Sequence, residues 1–186
     1  MKKKIVLLLL IVLFSALLVA APLLYNHLKD NAPVQSMTES ELEKYRAPDF
    51  TVYDISGNAV QLSDFFGKPI VLNFWASWCG PCQGEMPYFD TAAAAYQDEV
   101  VFLMVNMTDG SRETIDTAAA FIENRGYDFP VYYDTKQNAA EIYGVYSLPT
   151  SYFIDANGTL VTYAKGAITY EMLLEGIGMI QTNGGN

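Results

Sequence analysis

Between residues 69 and 82 the chain reads PIVLNFWASWCGPC, an apolar run followed within a few residues by two cysteines. Residues 69–75 are apolar on both faces, which is typical of a central strand covered on two sides. Residues 79–97 predict a helix with a kink at Pro87, and residues 100–107 predict a second buried strand. The stretch therefore indicates a strand-helix-strand unit that places Cys79 at the start of its helix.

Segments on both sides of this unit extend it into a larger sheet. A turn at residues 56–58 separates the extended runs 51–55 and 59–62, which predicts an opening hairpin, and Ser63 is expected to cap a short turn after it. Downstream, the pattern predicts helices at residues 112–125, 138–143 and 169–181 and strands at 129–134, 151–155 and 160–165. The last two strands flank a hairpin turn at residues 156–158. This alternation predicts an α/β fold, a mixed sheet with helices on both faces.

The N-terminal region predicts a membrane anchor. Residues 5–25 are apolar except for Ser15 and follow three lysines, and 21 helical residues span roughly 30 Å, the thickness of a hydrocarbon core. The lysines favour a cytoplasmic N-terminus at residues 1–4. Cleavage as a signal peptide is the alternative. A cut after Ala21 would be followed directly by Pro22, and a cut after Ala20 would place the bulky Leu18 where a small residue is needed, so neither site fits well. We therefore expect a single-pass cell-membrane protein, with a tether at residues 26–46 and an extracytoplasmic domain at 47–186.

The charge of the chain narrows its possible partners. All 21 acidic but only 8 of the 11 basic side chains follow residue 25, so this part carries a formal charge of −13. Such a charge argues against binding to nucleic acid and against adsorption to anionic lipid. The length allows one ordinary domain, which we expect to be monomeric.

The spacing of the two cysteines predicts redox chemistry. Cys79 falls at the helix N-terminus, where unpaired N–H groups and the helix dipole favour the nucleophilic thiolate. Cys82 lies one turn further and is expected to attack the mixed disulfide that Cys79 forms with a partner. A structural disulfide across so short a loop would stabilise little. A zinc site lacks ligands because the single histidine, His27, lies in the tether, so we expect neither metal nor cofactor.

The stretch FWASWCGPC at residues 74–82 resembles the active-site segment of thioredoxins, in the form found in membrane-anchored TlpA-like and ResA-like proteins. The resemblance covers residues 47–182 and includes the sequence APDF at 47–50, Pro87, and GVYSLPT at 144–150. It implies a thioredoxin-like fold in which residues 108–134 form the extra helix and strand of this subgroup.

The same resemblance implies roles for residues outside the cysteine pair. It implies a cis peptide between Leu148 and Pro149 beside the sulfurs, with the Leu148 main chain pairing with an extended substrate. The substrate-binding surface is expected to comprise Trp78, Gly80, Pro81, Leu148 and Pro149. Trp75 is expected in the core and Trp78 at the surface beside Cys79.

Glu85, three residues after Cys82, has two interpretations. Its spacing alone is that of a solvated helix charge, whereas ResA-like proteins place a glutamate there, beneath the cysteines, where it influences thiol protonation. Thioredoxin has a buried aspartate six residues before its first cysteine, and this chain has Asn73, which takes up no proton. Glu85 is therefore the acidic candidate for proton handling near the motif.

The resemblance implies an enzyme that reduces disulfides in protein partners, such as apocytochrome c or envelope proteins, with electrons from a CcdA-like membrane transporter. A peroxiredoxin-like peroxidase is one alternative, since peroxiredoxins share the APDF entrance, but their threonine three residues before the reactive cysteine is Ala76 here. A non-catalytic binding module that uses the apolar surface around Trp78 is another. With only Gly80 and Pro81 between the cysteines, no basic group within the motif stabilises the thiolate, so a reducing potential is expected.

Overall fold

The computed structural model describes residues 46–182, so the predicted anchor at residues 5–25, residues 26–45 of the predicted tether and residues 183–186 lie outside the described part. Within it, seven strands form one sheet. Their bounds are β1 Thr51–Tyr53, β2 Ala59–Gln61, β3 Ile70–Trp75, β4 Val101–Asn106, β5 Val131–Tyr133, β6 Thr150–Ile154 and β7 Leu160–Lys165. The strand order is β2-β1-β5-β4-β3-β6-β7.

The centre of the sheet is β3, whose six residues are all buried. It runs parallel to β4 and antiparallel to β6. Because side chains alternate along a strand, Val71 and Trp75 enter the core on one face of the sheet, while Leu72 and Phe74 enter the core on the other. The apolar run therefore does form a strand covered on both sides, as the sequence predicts.

Four α-helices cover this sheet in the described residues: α1 Gly80–Ala95, α2 Ile115–Arg125, α3 Asn138–Ile142 and α4 Tyr170–Thr182. Residues of α1, α2 and α4 share one core cluster, which contains Phe89, Ala118 and Ile177. Ala139 and Ala140 of α3 belong to the cluster on the opposite face. Helices thus lie on both faces, and α1 follows β3 after a short turn.

The predicted elements are present with shifted boundaries. The opening hairpin pairs β1 with β2, and α2 with β5 forms the extra helix and strand, β5 lying parallel to β4. The predicted helix at residues 112–125 begins only at Ile115, because Thr114 is its N-cap and accepts the N–H of Thr117. The turn after β2 is a 3₁₀ helix whose N-cap residue is Gln61 rather than Ser63.

The described chain enters at the end of the sheet where the β6–β7 hairpin turns. Arg46 forms an isolated antiparallel bridge with Thr159, and the Ala47 N–H donates to the carbonyl of Gly158 at 2.8 Å. Ile154, the residue before this turn, pairs with Ile70 at the start of β3. The entry point is therefore at the opposite end of β3 from Trp75.

Among residues 46–182, none of the helices combines the length and the apolar character needed to cross a membrane.

Candidate active site

The cysteines follow β3 through a tight turn. The Cys79 N–H donates to the Ala76 carbonyl at 3.1 Å, which leaves Ser77 and Trp78 at the two central positions of the turn. Cys79 is the N-cap residue of α1, and its Sγ lies 3.2 Å from the Cys82 backbone nitrogen, which donates to it. The helix dipole and this N–H both favour negative charge at Sγ.

Cys79 and Cys82 form a disulfide with an S–S distance of 2.05 Å and Cα atoms 5.3 Å apart. Cys79 is 4% exposed and Cys82 is fully buried, so a partner meets the sulfur of Cys79 first. Trp78 is 41% exposed beside it, and Trp75 is buried, which confirms the surface and core assignments of the two tryptophans. The CXXC spacing thus produces a redox-active pair at a helix N-terminus.

The loop before β6 reaches the same end of the sheet. The Leu148–Pro149 peptide is cis, as the resemblance implies, and Pro149 is buried. Thr150, the next residue, pairs with Phe74 near the end of β3. Tyr146, three residues before the proline, is 98% exposed, so the expectation from the sequence that this tyrosine is a packing residue is wrong. The loop therefore brings the cis proline to the end of the sheet that carries the cysteines.

Glu85 is a buried carboxyl, 1% exposed, rather than a solvated helix charge. Its Oε1 accepts a hydrogen bond from Asn73 Nδ2, and its Oε2 accepts one from the Ile168 backbone N–H, both at 2.9 Å. Burial raises the pKa of Glu85 to about 7, against the opposing effect of these two hydrogen bonds. A carboxyl that titrates near neutral pH can both take up and release a proton.

Asn73 holds this carboxyl in place. It is buried on β3, and its Nδ2 donates both to Glu85 Oε1 and to Ser151 Oγ, the latter at 3.0 Å. The side chain thereby connects β3, α1 and β6. At the position where thioredoxin has an aspartate, this chain has a hydrogen-bond donor to Glu85.

Two residues of the loop before α2 also contact the active-site turn, and sequence reasoning missed both. Glu113 is fully buried, and its carboxylate accepts from the N–H and the Oγ of Ser77 at 2.9 and 2.7 Å. The guanidinium of Arg112 lies 3.5 Å from the centre of the Trp78 ring. No periodicity or motif marks these residues, because they belong to a loop rather than to a helix or strand. Only the path of this loop in the folded protein brings them to the active-site turn.

The described residues contain no group of three or more histidine, cysteine, aspartate or glutamate side chains that could hold a metal ion. The carboxylates of Glu85 and Glu113 accept hydrogen bonds from neutral donors of the protein.

A mixed sheet centred on β3 and a CXXC disulfide at the start of α1 define a thioredoxin-fold thiol-disulfide oxidoreductase. The sequence pattern of the AhpC/TSA family matches residues 44–163, and the chain belongs to that family. It is 34% identical over 163 residues to the thiol-disulfide oxidoreductase ResA of Oceanobacillus iheyensis, covering 84% of this chain and 80% of the relative.

Solved structures of thiol-disulfide oxidoreductases have the same fold as this chain. A putative thiol:disulfide interchange protein DsbE from Chlorobium tepidum superposes with a TM-score of 0.64 at 33% identity, covering 72% of this chain and 93% of the other. StoA from Bacillus subtilis superposes with a TM-score of 0.61 at 28% identity, covering 70% and 96%. The chain is thus an oxidoreductase of the ResA, StoA and DsbE type, and neither the peroxidase nor the non-catalytic alternative is favoured.

Proposed function

We propose that this protein reduces disulfides in protein partners outside the cytoplasmic membrane, with Cys79 as attacking thiolate and Cys82 as resolving thiol. The observation that carries the assignment is the placement of Cys79 Sγ at the N-cap of α1, where it accepts the Cys82 N–H, while Cys82 is fully buried. Only the first sulfur combines a partner-facing position with stabilisation of negative charge.

The reaction proceeds in two exchanges. The Cys79 thiolate attacks one sulfur of the partner disulfide, which forms the mixed disulfide and releases the partner's other sulfur as a thiolate. The Cys82 thiolate then attacks Cys79 Sγ, which forms the intramolecular disulfide and releases the partner's first sulfur. The partner gains two electrons and, after protonation, two protons, and this chain loses the same number.

Glu85 is suited to accept the proton that Cys82 must lose before it attacks. It lies three residues along the same helix, on a neighbouring face, and its pKa of about 7 matches the pH at which a thiol needs a base. Asn73 and the Ile168 N–H hold its two oxygens in place, so the carboxyl does not have to reorient from solvent.

The docking surface we propose surrounds Cys79. Trp78, Gly80 and Pro81 are exposed, while Leu148 is half-buried next to the buried Pro149. An extended partner segment would pair with the main chain of Leu148 and place its disulfide over Cys79. Main-chain pairing accepts partners of varied sequence, which suits a reductase of several proteins.

The charges near the sulfurs support the proposed direction of electron flow, from this protein to its partner. Gly80 and Pro81 offer the thiolate no cation, and the exposed Arg112 faces Trp78. The buried Glu85, when ionised, disfavours a second negative charge nearby. These features support a reduction potential closer to the roughly −270 mV of thioredoxin than to the roughly −120 mV of DsbA.

The location and electron supply are proposals from the sequence. The apolar segment at residues 5–25, preceded by lysines, supports a cell-membrane anchor with the domain outside. Reducing power must then cross the membrane, which a CcdA-like transporter would supply, and apocytochrome c or envelope proteins are the partners proposed. Fractionation with a high-salt wash and N-terminal mass analysis tests the anchor, and a new N-terminus near Pro22 would contradict it.

Trapping tests the roles of the cysteines. In cells that express the full chain, Cys82→Ala should accumulate mixed disulfides through Cys79, because the first exchange proceeds and the second does not. Cys79→Ala is the matched control and should accumulate none. Non-reducing gels followed by mass spectrometry identify the partners, and equal trapping by both variants would refute the assignment.

Equilibration of the purified full chain with glutathione or dithiothreitol buffers tests the direction. We expect a reduction potential closer to roughly −270 mV than to roughly −120 mV, and a value above about −180 mV, the range of protein disulfide isomerase, would rule out the reductase.

A further inference from the structure

Glu113 connects the loop before α2 to the turn that presents Cys79. Its Oε1 accepts from the Ser77 backbone N–H at 2.9 Å and from Asn106 Nδ2 at 2.8 Å, and its Oε2 accepts from Ser77 Oγ at 2.7 Å. All three donors are neutral and the carboxylate is fully buried. A buried carboxylate is costly unless its oxygens are hydrogen-bonded, so these contacts hold each other in place.

The glutamate is itself fixed on both sides. Its N–H donates to Asp109 Oδ1 at 3.0 Å, and its carbonyl accepts from the Gly110 N–H at 2.9 Å. Thr114, the next residue, is the N-cap of α2. Asn106, at the end of β4, binds the carboxylate from the sheet. The Glu113 carboxylate is therefore tied to β4 and to the start of α2 as well as to the active-site turn.

The turn has a second restraint on its other side. The carbonyl of Ser77 accepts from Gln83 Nε2 of α1 at 2.6 Å. The turn's own hydrogen bond, from Cys79 to Ala76, uses neither polar group of the Ser77 backbone. Glu113 and Gln83 thus hold the two polar backbone groups of the residue that lies two positions before Cys79.

We infer that Glu113 is a positioning residue for the reaction: it fixes the Ser77 peptide and thereby the direction in which Trp78 and Cys79 face a partner disulfide. Thiol-disulfide exchange needs the attacking sulfur in line with the bond that breaks, so a small displacement of the turn lowers the rate of attack. The inference rests on the proposal that Cys79 is the attacking thiol.

The test measures attack by Cys79 alone. The protein is the full chain carrying Cys82→Ala, purified in detergent. Its Cys79 thiolate attacks an aromatic disulfide reagent, which forms a mixed disulfide and releases one aromatic thiolate. The absorbance of the released thiolate gives the rate. Rates are taken at a pH above the Cys79 pKa, so that differences in ionisation do not contribute. When Glu113→Ala is combined with Cys82→Ala in the same chain, the rate at this pH should fall about 10- to 100-fold.

Glu113→Gln distinguishes position from charge. Its amide oxygen can still accept from the Ser77 N–H and Asn106, while its amide NH₂ donates to Ser77 Oγ, which can act as acceptor. The rate should therefore stay within about threefold of the parent. Glu123→Ala, which removes an exposed carboxylate of α2, is the control for loss of charge and should leave the rate unchanged.

The outcomes separate the two claims. No reaction in the Cys82→Ala parent would show that Cys79 is not the nucleophile. A reacting parent with an unchanged rate in Glu113→Ala, or a loss in Glu113→Gln as large as in Glu113→Ala, would overturn the positioning role. If Glu113→Ala does not fold, Ser77→Ala decides: it keeps the N–H contact, loses the Oγ contact, and should lower the rate about two- to fivefold, and an unchanged rate would overturn the role.

Discussion

Two buried glutamates approach the active site from different regions, Glu85 from within α1 and Glu113 from the loop before α2. The donors to Glu85 are Asn73 on β3 and the Ile168 backbone, neither of which belongs to the active-site turn. Two of the three donors to Glu113 belong to Ser77, inside that turn. The same side chain therefore suits proton transfer in one place and positioning in the other, according to which groups it binds.

The largest expected effect concerns the structural part of this contrast. Glu113→Ala should lower the free energy of unfolding of the full chain by about 3 kcal/mol, because the Ser77 N–H and Asn106 Nδ2 lose a buried charged acceptor. Denaturant unfolding of the oxidised protein measures it. Glu123→Ala, an exposed position, should stay within about 0.5 kcal/mol. Equal stability of the two variants would mean that solvent or other groups replace the carboxylate.

An effect of similar size concerns the titration of Glu85. Its folded pKa of about 7 lies above the ordinary value of 4.5, so the folded state binds the proton more tightly than the unfolded state does. The contribution of this group to the free energy of unfolding should be fully present below about pH 4.5. As the pH rises through 7, the free energy of unfolding should fall by up to about 3 kcal/mol. Unfolding free energies between pH 5 and 8 measure this dependence.

Glu85→Gln is the matched variant for that measurement. The substituted amide fits the same contacts if the Asn73 amide rotates, so that Asn73 Oδ1 accepts from the glutamine and from Ser151 Oγ. The loss of stability between pH 5 and 8 should become markedly smaller in this variant. A slope unchanged from that of the parent would show that another group titrates there.

The smallest effect concerns the outer side of the same loop. Arg112→Ala removes the guanidinium 3.5 Å from the Trp78 ring, an exposed cation–π contact worth about 0.5–1 kcal/mol. Acrylamide, a neutral quencher that the guanidinium does not attract, should then quench tryptophan fluorescence more strongly, since the Trp78 ring loses its cover while the other tryptophan, Trp75, stays buried. Arg125→Ala, whose guanidinium lies over Phe121, is the control and should change the quenching little. Equal quenching in both variants would indicate that Arg112 does not shield the ring.

The sequence predicted the parts of the site that local pattern or family likeness specifies. The apolar run of β3 and the CXXC spacing placed Cys79 at a helix start, and the resemblance placed a cis proline at Pro149. Burial of Glu85 was left open by spacing, since a charge three residues after Cys82 occurs on solvated helices too. Only the fold, which places Asn73 of β3 and the Ile168 N–H against the Glu85 carboxyl, decides that this side chain is buried.

Glu113 was beyond sequence reasoning for a different reason. Its contact with Ser77 joins residues 36 positions apart, and it depends on how Asp109 caps the loop between β4 and α2. The sequence extended α2 back to residue 112 because the polar residues there are compatible with a helix. Asp109 and Thr114 instead bind backbone N–H groups and delay the helix to Ile115, which is what turns Glu113 inward.

The entry of the chain beside the β6–β7 turn has a consequence for orientation. Arg46 and Thr159 meet at the end of the sheet where β3 begins, whereas Cys79 follows the end of β3, and six strand residues separate the two ends by roughly 20 Å. A domain held through its N-terminal side would therefore point its sulfurs away from the point of attachment.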